Sequence, residues 1–197
     1  MTTSLIFSMV AFALVTSISP GPVNIVALRS GTQYGFRASM RHVTGATLGF
    51  SFLLLLTGLG LHELLGWWPD LMTVIQWAGV AFLLFMAFRL VVDNGQLNME
   101  KTGNGPSLLY GAAMQWLNPK AWLASLAGMG AYVASGEVML VWQFTMIYFL
   151  VCYVSIAAWA YSGAVLRRFL REPCHVRWFN RLMAALLAAS AVYLIQT

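Results

Sequence analysis

Charge is what this chain has least of. Only 9% of its residues are Asp, Glu, Lys or Arg and 60% are hydrophobic, against about a quarter charged in ordinary soluble domains. That balance excludes a water-soluble globular fold. No Asp or Glu lies within any of the long apolar runs, which removes the carboxylates a metal exporter would need there. The two cysteines, Cys152 and Cys174, form no CxxC pair and support neither a redox motif nor a zinc site. Cys152 reads as packing and Cys174 as loop. The three histidines read as lying at loop edges and offer no base to Ser162-Gly163, so an intramembrane hydrolase has no support.

What is present is apolar length. A chain of 197 residues holds about six spans of roughly 20 residues and leaves no room for an appended soluble domain. The expected fold is an all-α membrane protein of six transmembrane helices, one polytopic domain over residues 1–197. The apolar runs fall at about 5–28, 43–61, 71–88, 108–133, 138–166 and 182–195. The first has no basic segment before it and reads as a span rather than a cleaved signal peptide. The last is short for a span.

The net charge of +5 does not point to nucleic acid, because the basic residues flank apolar runs, where they orient a membrane protein. Apart from Lys120, Lys and Arg gather in the first, third and fifth connections. Those connections are therefore expected in the cytoplasm and both termini outside. The arginine-rich fifth connection also suits contact with anionic membrane lipid. A polar linker at about 93–107 divides the chain into repeat 1, about 1–92, and repeat 2, about 108–197. Three spans on each side make the second half enter the membrane upside down, the layout of an inverted-repeat transporter. Gly45-x-x-x-Gly49 lets helices approach closely in lipid and permits a homo-oligomer contact.

The first span of each half is expected to break. Pro20-Gly21-Pro22 with Asn24 interrupts one, and Gln115 with Asn118-Pro119-Lys120 the other, since proline supplies no backbone donor and clashes with the preceding turn. Lys120 stands about 12 residues into its run, roughly 18 Å along a helix, near the middle of a ~30 Å hydrocarbon core. A cation there costs roughly 2.5–3.5 kcal/mol and marks a functional site by default.

The chain resembles the LysE/RhtB family of bacterial amino-acid exporters over essentially its whole length. The residues that carry the resemblance are Ser19-Pro20-Gly21-Pro22 with Asn24, then Gly35-x-Arg37 leading to Gly45-x-x-x-Gly49. Gly79-x-Ala81-Phe82-Leu83 and Gln115-x-Leu117-Asn118-Pro119-Lys120-Ala121 extend it. The resemblance implies secondary, ion-coupled export of small amino acids or derivatives across the cytoplasmic membrane.

An amino acid is a zwitterion, and both charges need partners away from water. The substrate-binding residues expected are Pro20, Gly21, Pro22, Asn24, Gln115, Asn118, Pro119 and Lys120, with no catalytic residue, metal or cofactor. At ~4 Å and an effective dielectric near 20, Lys120 would attract a carboxylate by about 4 kcal/mol before desolvation. Helix starts at Pro22 and Pro119 add N–H groups and a positive dipole end. For the amine the candidates are carbonyls freed by the breaks, or Asn24, Gln115, Asn118, Ser17 and Ser19. A site without a carboxylate favours neutral zwitterions over lysine or arginine. Lys120 is the obvious titratable group for a coupling proton. Residue patterns alone leave other readings open: an exporter of cationic amino acids or another small solute, a channel-like or structural membrane protein, and Lys120 as a structural cation on backbone carbonyls.

Overall fold

The computed structural model describes residues 3–61, 69–92, 94, 107–133, 137–167, 169 and 172–196, and among them every regular element is helical. In chain order these are α1 (Thr3–Ile18), α2 (Pro22–Tyr34), α3 (Phe36–Leu56) with a π-helical turn (Thr57–Leu61), α4 (Pro69–Val91), α5 (Leu108–Trp116), α6 (Pro119–Tyr132), α7 (Val138–Leu166) and α8 (Pro173–Gln196). The first span is broken where Pro20 and Pro22 predict, with 61° between α1 and α2. The second break separates α5 from α6 at Leu117-Asn118, with Pro119 opening α6.

By length and composition α3 with its π turn (Phe36–Gly60, 25 residues) and α7 (29 residues) can each cross a membrane, and the bent α1–α2 pair makes a third. Polarity is distributed inside out. Phe7, Leu109, Trp142 and Val154 are 53–78% exposed, whereas Asn24, Thr47, Gln115, Asn118 and Ser125 are buried. Water would penalise such a surface, and lipid does not.

α7 is the central helix, with α1, α2 and α3 packed along it, while α3 also packs along α5 and α4 along α8. Glycine makes the closest of these contacts. A Cβ on Gly45 would strike the backbone of Leu108, and one on Gly49 would come within 2.6 Å of Ala112 Cα. Gly31 lies against Ala160, and Gly163 against Leu28. The Gly45-x-x-x-Gly49 stripe is thus covered by α5 of the same chain and is not available to a second copy. At the corner between α2 and α3 the glycine matters for its backbone: Gly35 has φ 82°, a region open chiefly to glycine.

Two helices begin well before their apolar runs. α3 starts at Phe36, so Arg37 and Arg41 ride its first turns, and α8 starts at Pro173, so Cys174 and Arg177 are helical. The reason is that hydropathy marks where lipid starts and not where the backbone starts to coil. The short last run is therefore the end of a 24-residue helix, and Cys174 is exposed on it rather than in a loop. The second connection with Trp67-Trp68, and nearly all of the polar linker, lie outside the described residues.

Candidate functional site

A break in a helix leaves carbonyls without their i+4 donors, and in a bilayer each needs another partner. Pro20 and Pro22 have no N–H to give Thr16 and Ile18. The Ser19 hydroxyl donates instead to Thr16 O at 3.2 Å, and the Trp159 indole of α7 donates to Ile18 O at 3.0 Å. Asn24, two residues into α2, sends its amide back to Ser17 O at 2.8 Å and Ser19 O at 2.9 Å. The remaining acceptors are served from the other half of the chain. Lys120 Nζ donates to Ser19 O at 2.9 Å, Ser19 Oγ at 2.7 Å and Pro20 O at 3.4 Å.

The second break follows the same logic. The Trp122 indole donates to Trp116 O at 2.8 Å, and Asn118 N turns back to Gln115 O at 3.2 Å. Each break is thus closed by one tryptophan. The Asn118 amide lies 3.4 Å from Gln115 Oε1, while Asn118 Oδ1 is buried with no partner.

Lys120 sits on the first turn of α6 and meets the carbonyl end of α1, where the helix dipole favours a cation. Farther along, Tyr132 of α6 donates to Ser8 O at 3.1 Å. α1 and α6 therefore run antiparallel, with their broken ends together. Between the breaks lies a cavity of about 40 Å³, room for a few waters and too little for an amino acid. Gly21, Asn24, Gln115, Asn118 and Lys120 line it, with Tyr148 and Cys152 from α7 and Phe50 from α3. Lys120 is its one charged lining residue.

Of the residues expected from sequence, those five meet at the cavity. Pro22 and Pro119 are buried at the helix starts and Pro20 is exposed in the break, so the prolines shape the site without lining it. Gly21 has φ −166° and ψ 171°, which any residue adopts. What matters is its missing side chain, since a Cβ there would lie 3.5 Å from Lys120 Nζ. Sequence reasoning missed Tyr148, Phe50 and the two indole donors, and took Cys152 as packing alone. Trp159 is 141 positions from Ile18, a pairing only the fold creates.

His42 is not at a loop edge. It is fully buried on α3, and its Nε2 lies 3.3 Å from Val23 O. Its apolar run starts at Val43, which hid the helical turns before it. It ties α3 to the start of α2 and does not line the cavity. Tyr148, which lines the cavity, belongs to an aromatic layer with Phe12, Tyr132 and Phe144, their centroids 5.1–6.5 Å apart, on the side where α1 begins. Tyr148 OH and Thr16 Oγ1, 2.6 Å apart, tie that layer to α1.

The chain matches the family model of the LysE type translocators over residues 14–197. It is 28% identical to the cysteine/O-acetylserine efflux protein of Escherichia coli strain K12, over 98% of both chains. The protein of that description from Klebsiella pneumoniae subsp. pneumoniae is also 28% identical, over 99% of both. No solved structure matches.

Proposed function

The chain belongs to the LysE type translocators, and from that premise we propose that it exports small, neutral, zwitterionic amino acids or derivatives across the bacterial cytoplasmic membrane, driven by the proton gradient. It is a membrane transporter and not an enzyme. Cysteine and O-acetylserine, named in its relatives, are both neutral zwitterions and the first solutes to test. The observation that carries the reading is Lys120: a cation of the second break, bonded to the first, beside a cavity lined by both.

The proposed arrangement is six spans in two inverted halves, about 1–92 and about 108–197 around a linker near 93–107. Broken pairs α1–α2 and α5–α6 are the first span of each half. The like treatment of both breaks supports this: a proline opens the second segment, a tryptophan indole closes the first, and the broken ends meet from opposite directions. Arg167, after α7, comes within 3.7 Å of where a Cβ on Gly35 would sit. The first and fifth basic connections thus share one end of the bundle, which supports a cytoplasmic end there and termini outside.

In the proposed cycle Lys120 holds the substrate carboxylate, aided by the start of α6, and carries the coupling proton. Asn24, Gln115 and Asn118 offer further polar contacts around the substrate. Admitting a substrate requires the cavity to widen, and parting the broken ends at Ser19 and Lys120 does so. The aromatic layer closes the outer side. The test is export of labelled cysteine and O-acetylserine from cells with the intact protein, Lys120→Ala or Lys120→Met. We expect gradient-dependent export that falls at least tenfold in both variants. Normal proton-driven export by Lys120→Met removes Lys120 from the mechanism.

A further inference from the structure

The cluster around Ser19 is an ammonium receptor. Three oxygens, Ser19 O, Ser19 Oγ and Pro20 O, converge on one Nζ at 2.9, 2.7 and 3.4 Å. Ser19 is held in place: its N–H goes to Val15 O at 3.3 Å, its hydroxyl proton to Thr16 O, and its carbonyl also accepts from Asn24. With its proton committed, the hydroxyl turns a lone pair toward Lys120. The group is rich in acceptors and holds no carboxylate, so it suits a primary ammonium, which has three protons to give. The group's two carbonyls lie in the break itself, just past the last turn of α1, and they are there whether or not Lys120 is.

We propose that the Ser19–Pro20 oxygen cluster is the seat of the substrate's α-ammonium group, and that the Lys120 ammonium occupies that seat when no substrate is bound. The inference rests on the export reading and supplies what that reading lacks, a partner for the amine. An α-amino acid carries both charged groups on one carbon. Its ammonium on Ser19 leaves its carboxylate facing the cavity, where Lys120 meets it after a short retreat. Two cations on one seat would repel each other, so the seat holds one at a time. Lys120 therefore acts as a placeholder that bridges the broken ends when the site is empty and yields when substrate arrives. Gly21, with no side chain over Nζ, leaves the approach from the cavity open. The geometry selects for an unblocked primary amine.

The test uses the purified full chain in lipid nanodiscs, with ethylammonium chloride as the probe, N-ethylacetamide as its uncharged counterpart, and sodium chloride at equal ionic strength. Lys120→Ala empties the seat, and Lys120→Met does so while keeping the aliphatic stem, should alanine unfold the protein. In the folded variant ethylammonium is expected to raise the melting temperature by a few degrees, as a ligand of the native state does. N-ethylacetamide should not, and neither compound should move the wild type. No shift with ethylammonium in a folded variant, or equal shifts with both compounds, overturns the proposal. Transport is scored separately in wild-type proteoliposomes. There O-acetylserine should compete with labelled cysteine at least a hundredfold better than its N-acetylated form, and equal competition overturns the seat while leaving export intact. Absence of any amino-acid flux in the wild type overturns the export reading itself.

Discussion

At the residue scale the protein is governed by what proline removes. Pro20, Pro22 and Pro119 each delete a backbone donor and help to break the helix, and the carbonyls left at the two breaks are served largely by side chains, those of Ser19, Asn24, Lys120, Trp122 and Trp159. Trp159 makes this testable. Trp159→Phe keeps most of the ring but leaves Ile18 O with no donor, so we expect a loss of about 1–3 kcal/mol in thermal unfolding in detergent. Trp122→Phe, which frees Trp116 O, should behave alike. Unchanged stability in both would mean that the indoles pack without capping. The sequence shows where such orphans arise, because proline positions are explicit. It does not show who serves them: Asn24, a few residues away, was legible as a candidate, whereas Lys120 reaches Ser19 across 101 positions.

At the element scale the helices meet through glycine. Gly163 faces Leu28 O and Gly31 faces Ala160 O, with backbone as the obstacle in each case. Backbone cannot rotate away as a side chain can. Gly163→Ala should force α2 from α7 at about 1–3 kcal/mol or more, measured as a lowered midpoint of thermal unfolding. Gly130→Ala is the comparison, since a Cβ there meets nothing within 4 Å, and helix propensity predicts no loss or a gain of up to about 1 kcal/mol. Equal destabilisation by both would discard the contact argument. Sequence spacing marked Gly45 and Gly49 as a close contact, and they are one, but within the chain. Ala27-x-x-x-Gly31 and Ala160-x-x-x-Ala164 carry the same small-residue spacing and were legible by the same rule.

At the scale of the whole molecule, the apolar outside and polar inside place the chain in a bilayer, and its own cysteines report which way round. Cys174 is exposed at the start of α8, next to the fifth basic connection, and Cys152 is buried at the cavity. A membrane-impermeant maleimide should label Cys174 in inside-out vesicles and not in intact cells, and Cys152 in neither. A Cys174→Ser variant identifies the labelled site by mass spectrometry. Labelling of Cys174 in intact cells would invert the proposed topology.

Composition alone determined that this is an apolar helical protein, because so few charges cannot make a soluble surface. Proline positions determined where its first and fourth apolar runs break, because a missing N–H is a covalent fact. The depth of Lys120 in its run marked it as a candidate site residue, because a buried cation must be justified. Only the tertiary structure decided what that cation touches, because its acceptors are carbonyls, and backbone oxygens have no signature in sequence. It also decided that the glycine stripe faces inward and that tryptophans close the breaks, since those depend on which helices become neighbours.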